Sequence, residues 1–214
     1  MKRTALLSCA ALLLCSCATL PPLEPLNPAD QAKLLACCRA PFLRARYRLV
    51  HSIEATMPAG ETGHLMGVTV ADPARRTLHS ALLTIEGLVL FEARFDKTVT
   101  VERALPPFDS PRFAEGLMDD ISLMLFAPVE PFAEAGMSKG GPLCRYRREG
   151  GTTDVIPLAD GDFAMRRYNA SHTPVRELHF SSPDPRGISK QIELVARGML
   201  GYSLRLELIK AERM

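Results

Sequence analysis

From Tyr47 the chain alternates with a period of two. Tyr47, Leu49, His51, Ile53, Ala55 and Met57 share one parity while Arg46, Arg48, Ser52 and Glu54 share the other, the pattern of a half-buried strand. Turn signals follow at short intervals: Pro58 to Gly63, Asp72-Pro73, Glu86-Gly87 and Asp96-Lys97 bound further strands at 64–71, 75–86, 88–95 and 97–104. Val89, Phe91, Ala93 and Phe95 oppose Glu92 and Arg94, as in an antiparallel sheet with one wet face. Beyond residue 142 the alternation resumes at 143–149, 152–158, 162–169, 174–181, 188–196 and 202–210, with Gly150-Gly151 and Asp160-Gly161 as hairpin turns. The count is about eleven strands.

Two stretches have a helical period instead. Asn27 and Pro28 supply an N-cap and an N1 proline for a short helix over 29–37, with Leu34 and Leu35 as its apolar positions. Ser110 and Pro111 do the same for a helix over 110–126, where Phe113, Leu117, Ile121, Met124 and Leu125 form a stripe that must lie on something apolar. Asp109, Asp119 and Asp120 are expected to serve that helix through its positive N-terminal end. The Pro/Gly/Ala-rich segment 127–142 reads as a loose connection.

An antiparallel sheet of this size curls, and a curled sheet has an inside. The expected fold is mainly β: a single domain over 29–214, a half-open antiparallel barrel with the two helices across its mouth. Its apolar interior would be lined by Leu49 and Ile53 near the start, by Val89, Phe91 and Phe95, by Phe113, Leu117 and Ile121 of the helix, and by Leu204, Leu206 and Leu208 of the last strand. Unbranched Met57, Met66, Met118, Met124 and Met165 on these elements suit a lining that adapts to flexible chains, or a plain core.

The N-terminus speaks to location. Lys2 and Arg3 precede an apolar run from Ala5 to Cys15 that is too short to span a bilayer, so residues 1–16 read as a secretory signal peptide. Its end, Leu14-Cys15-Ser16-Cys17, resembles the lipobox of bacterial lipoproteins, which implies palmitate-type acylation of Cys17 and stable membrane anchoring. Ala18 rather than aspartate follows the cysteine, which by the same resemblance implies the periplasmic side of a Gram-negative outer membrane. Prolines at 21, 22, 25 and 28 give 17–28 the composition of an extended tether reaching roughly 30 Å.

Composition narrows the chemistry. Without Lys2 and Arg3, 24 basic residues face 24 acidic ones, which removes the electrostatic case for nucleic acid. Arg44-Arg46-Arg48, Arg145-Arg147-Arg148 and Arg166-Arg167 either meet lipid headgroups or an acidic partner, or form the wet face of strands. Gly136-Met137-Ser138-Lys139-Gly140 matches the G-x-S-x-G string but lacks the strand-to-helix setting that its chemistry needs. Histidines 51, 64, 79, 172 and 179 form no metal motif, and His51 and His79 read as core or edge residues. Beyond the leader, Cys37, Cys38 and Cys144 show no zinc spacing; Cys144 can bridge to either neighbour, leaving one thiol free. No catalytic residue, metal or cofactor is expected.

The lipobox ending at Cys17, the string Ala104-Leu105-Pro106-Pro107-Phe108-Asp109 before the capped helix, and the final strand from Tyr202 to Lys210 resemble a family of short bacterial outer-membrane lipoproteins similar in fold to the lipoprotein carriers LolA and LolB. The resemblance covers roughly residues 29 to 210. It implies an unclosed barrel whose apolar cavity takes an acyl chain or lipoprotein ligand, in lipid or lipoprotein transfer. Two departures stand out: there is no tryptophan, and the 56–64 loop carries only Met57 where LolB has a protruding leucine-bearing loop. The alternative role is a non-catalytic scaffold that contacts an envelope protein partner through its outer face.

Overall fold

A computed structural model describes residues 20–57, 60–129, 132–198 and 201–214; the expected signal peptide and Cys17 lie outside them. Among the described residues two helices accompany thirteen strands. The chain opens with a two-residue strand β1 (Glu24–Pro25) and helix α1 (Pro28–Cys37), then a meander of β2 (Tyr47–Thr56), β3 (Thr62–Asp72), β4 (Thr77–Leu83), β5 (Val89–Asp96) and β6 (Thr98–Ala104). Helix α2 (Pro111–Leu125) leads into a second meander: β7 (Phe132–Ser138), β8 (Gly141–Arg148), β9 (Gly151–Pro157), β10 (Phe163–Asn169), β11 (Pro174–Phe180), β12 (Gln191–Ala196) and β13 (Tyr202–Arg213).

All thirteen strands belong to one sheet, and every neighbouring pair is antiparallel. The seam between the meanders is β13 against β2, with Leu206 opposite Ile53 and Leu208 opposite His51. The free edges are therefore β1 and β6, so the sheet does not close. Laid flat, its outermost strands would stand about 58 Å apart at ordinary strand spacing. Yet α2, about 22 Å long by its helical rise, packs on β4, β5 and β6 and also reaches β10, β11 and β13. Only a curled sheet permits both contacts. The expected half-open antiparallel architecture with its two helices is what the chain adopts.

Both helices begin where the caps predict. Asn27 Oδ1 accepts from the Asp30 N–H at 2.9 Å, and Ser110 Oγ from the Phe113 N–H at 3.1 Å, each followed by an N1 proline. The buried stripe of α2 keeps the second half of the expected one and shifts in the first. Ile121, Met124 and Leu125 face the core with Ala114 and Met118, while Phe113 and Leu117 sit at its margin, Phe113 making an edge contact with Phe91 and a tilted one with Phe108.

Asp119 and Asp120 have a role other than the helix N-terminus, from which they lie more than a turn away. Asp119 accepts from Arg167 of β10 at 2.7 Å. Asp120, wholly buried, accepts from Arg176 of β11 at 2.7 Å and from the Tyr202 hydroxyl of β13. Burial holds the Asp120 carboxyl above the usual carboxylate range against the pull of both partners, and burial raises the Tyr202 phenol too.

Two strands lie where no strand is expected. Segment 127–142 contains β7, whose Ala- and Gly-rich sequence has little strand preference of its own but pairs along β8. The expected tether contributes β1, where Glu24 pairs with Met137 and Pro25 with Gly136; proline is tolerated because this is the sheet edge.

Removing one partner from a buried, hydrogen-bonded charge pair leaves the other uncompensated. Asp120→Ala is expected to lower unfolding stability by about 3–5 kcal/mol and Tyr202→Phe by about 1 kcal/mol, as read by urea denaturation.

Candidate functional site

A large cavity among the described residues lies beside α1, not under the centre of α2. It is open to solvent and about 870 Å³ in volume, within the range of small-molecule sites. Its walls are α1 through Leu35 and Ala36, the following segment through Phe42 and Leu43, the exit of α2 through Phe126 and Val129, β7 through Ala133 and β8 through Tyr146. Three arginines, Arg39, Arg44 and Arg76, complete the lining. Arg76 is fixed to the wall: its Nη1 donates to the Ala127 carbonyl at 3.0 Å and its guanidinium lies 5.2 Å over the Phe126 ring. Arg39 and Arg44 are exposed, and Arg39 faces Tyr146, whose phenol burial pushes up. An apolar floor with cationic groups at its rim suits an amphiphile with an anionic end.

A covalent clamp sets the wall spacing. Cys38, the C-cap of α1, is bonded to Cys144 of β8, with Cα atoms 6.3 Å apart, so the alternative left open by the sequence falls to Cys38 and Cys37 is the exposed free thiol. The segment after α1 is held from both sides: the Leu43 N–H donates to Leu125 at the end of α2, and the Arg44 N–H to Arg186.

None of the residues expected to line a cavity lines this one. Leu49, Ile53, Phe91, Ile121 and Leu206 are core; Phe95, Phe113, Leu117, Leu204 and Leu208 are partly buried against it, and Val89 is half-buried at the start of β5. Alternation identifies the concave face, but the α2 side chains occupy it. The actual lining comes from a helix and irregular segments that carry no alternation, of which Pro41-Phe42-Leu43 beside Arg39 and Arg44 was the available signal. Met118, Met124 and Met165 are core, Met57 is exposed, and Met66 lies in a second, smaller groove with Ile53, Ile85, Arg205 and Ile209. Cys17 lies outside the described residues.

The arginine clusters divide. Arg44 rims the cavity, Arg48 pairs with Glu212, and Arg147 with Glu134. Arg145 is no wet-face residue: it is 2% exposed and forks onto Asp154, Nε to Oδ1 and Nη2 to Oδ2, both 2.8 Å. Ser138 ends β7 in a hairpin, where its Oγ donates to the Gly141 carbonyl at 3.0 Å and accepts from the Gly140 N–H; this is a turn, not a strand-to-helix elbow.

His79 lies across β4–β6, its Nε2 2.9 Å from Glu92 and 3.5 Å from Glu102, and Arg94 Nε lies 2.8 Å from Glu102. Among the described residues this is the one group whose types and spacing could hold a metal ion, and the Arg94 pair already balances one carboxylate. His51 is different. Buried on the inner face of β2, it has its pKa pushed down to about 4 by desolvation.

No protein-family model matches the chain, and no curated protein does. Among solved structures it is similar to a LolA superfamily protein of Nitrosomonas europaea, at 7% identity and TM-score 0.49 over 86% of this chain and 93% of that one. A domain of Vibrio parahaemolyticus described as outer membrane lipoprotein-sorting is similar at 9% identity and TM-score 0.46, over 87% of this chain and 93% of its own. A DUF1329 family protein of Desulfovibrio piger is similar at 11% and 0.48, over 86% and 92%. The likeness is one of overall arrangement.

Two outcomes follow from these groups. Replacing both Cys38 and Cys144 by serine opens a loop spanning 106 residues, and should lower stability by about 2–5 kcal/mol in denaturant titrations. For His51 the unfolded chain binds its proton near pH 6.5 and the folded one only near pH 4, so the unfolded state holds more protons between those values. Its contribution is complete above pH 6.5 and is lost as pH falls towards 4, on the order of 3 kcal/mol in all. Between pH 7.5 and 4.5, His51→Leu should lose less stability than the parent.

Proposed function

We propose that this protein is a non-catalytic, lipid-anchored envelope protein that holds an acyl chain or similar amphiphile in the cavity beside α1, on the periplasmic side of a Gram-negative outer membrane. The observation that carries the reading is the cavity itself: about 870 Å³ of open space with an apolar floor and three arginines, Arg39, Arg44 and Arg76, in its lining. Burying apolar chain there gains about 25 cal/mol per Å². The arginines would hold a carboxylate or phosphate at the mouth. The lipobox-like end of the signal sequence supports attachment through Cys17. Transfer of lipid or of an acylated protein is the activity that such a site would serve.

The scaffold reading keeps one specific support, the packed concave face beneath α2, where Phe91 and Leu49 leave no space for a chain. Native mass spectrometry of the domain from residue 18 onward separates the two. A bound mass that disappears on organic extraction and is an anionic amphiphile is expected. Ala36→Trp, an exposed change on the cavity wall, should abolish that mass and leave the unfolding midpoint unaltered. A bare mass after incubation with phospholipid and acylated peptide overturns the binding reading in favour of a scaffold.

A further inference from the structure

The segment before α1 is locked down at an unusual place. Arg145 and Asp154 are cross-strand neighbours on β8 and β9, on the face opposite Cys144 and Tyr146, and both are buried. A charge pair removed from water costs more than it returns unless its remaining donors are also satisfied. Here Arg145 Nη1 donates to the Pro21 carbonyl at 2.7 Å. The chain then runs along β7, where Gly136 lies so near it that a Cβ would stand 2.6 Å from the Glu24 carbonyl oxygen and 2.8 Å from the Leu23 side chain. From β1 it turns into α1, which lines the cavity.

The docked stretch therefore begins four residues after Cys17, a leash of at most about 14 Å at full extension. A domain of this length has a radius of gyration of about 16 Å. A leash shorter than that cannot let the domain tumble away from the point of attachment. The same edge of the molecule carries the exposed Met137 and Lys139, and the cavity rim adds Arg39 and Arg44, side chains that suit a bilayer with anionic headgroups.

We infer that Pro21–Pro25 is a strap, clamped by the Arg145–Asp154 pair, that seats the β7 edge and the neighbouring cavity mouth on the bilayer in which Cys17 is anchored. The inference rests on the proposed acylation of Cys17, and the experiment separates the two. The full-length protein is purified from membranes, its intact mass is measured, and it is reconstituted into phosphatidylethanolamine–phosphatidylglycerol vesicles containing headgroup nitroxide lipid. A fluorophore on the natural thiol Cys37, on α1, is compared with one on Arg205→Cys in a Cys37→Ser background, on β13 and six strands from β7. Expected are loss of Cys37 fluorescence and retention of the signal at 205. An insertion of roughly eight Gly/Ser residues after Leu20 lengthens the leash by a flexible coil and leaves the strap's own contacts in place below it.

That last arm discriminates by sign: if the short leash seats the edge, the insertion restores Cys37 fluorescence, and Arg145→Met, which frees Pro21, does the same. Equal quenching at both positions, or quenching indifferent to the insertion, overturns the strap while Cys17 acylation stands. A mass without acyl groups and no vesicle association overturns the anchor and the strap together.

Discussion

Everything in this fold depends on the pairing of β13 with β2. It joins two meanders, each a run of hairpins, into one sheet, and it places the beginning of the first meander against the end of the second. The connection between the meanders must then pass from β6 at one edge to β7 beside the other. That connection carries α2, whose contacts with β4, β5 and β6 on one side and with β10, β11 and β13 on the other hold the two halves of the sheet towards each other. Helix α2 is thus the brace that fills the concavity, fixed on one flank by apolar packing and on the other by Asp119 and Asp120.

That brace decides where free space remains. Because α2 occupies the concave face, free space is pushed beyond its C-terminal end, where the segment after α1 crosses between the helix and the sheet. The clamp from Cys38 to Cys144 keeps α1 from collapsing into or drifting away from that space. The cavity is in this sense a by-product of two crossing constraints, one noncovalent and one covalent.

Much of the fold was legible because alternation and caps are local signals. Asn27-Pro28 and Ser110-Pro111 announce both helices, and the strands with branched or aromatic faces are where the period puts them. Strand β1 and its neighbour β7 were not legible: proline, alanine and glycine form strands there only because a neighbour offers its ladder. The partners of Asp120 were hidden for a related reason, since Arg176 and Tyr202 lie 56 and 82 residues away and meet it only once the sheet is curled. The cavity lining is illegible for the most part, as it belongs to irregular backbone.

The bridge between residues 38 and 144 encloses the whole first meander and α2 in one covalent ring. A chain delivered N-terminus first into an oxidising compartment presents Cys37 and Cys38 side by side long before Cys144 follows. Through that interval the correct bond has no partner to form with, and when Cys144 arrives two adjacent thiols compete for it. Alignment by α1 and β8, one thiol facing the sheet and the other solvent, is what selects between them. For a chain delivered in that way the bond waits on completion of β8, and the competing isomer is the one displaced by a single residue.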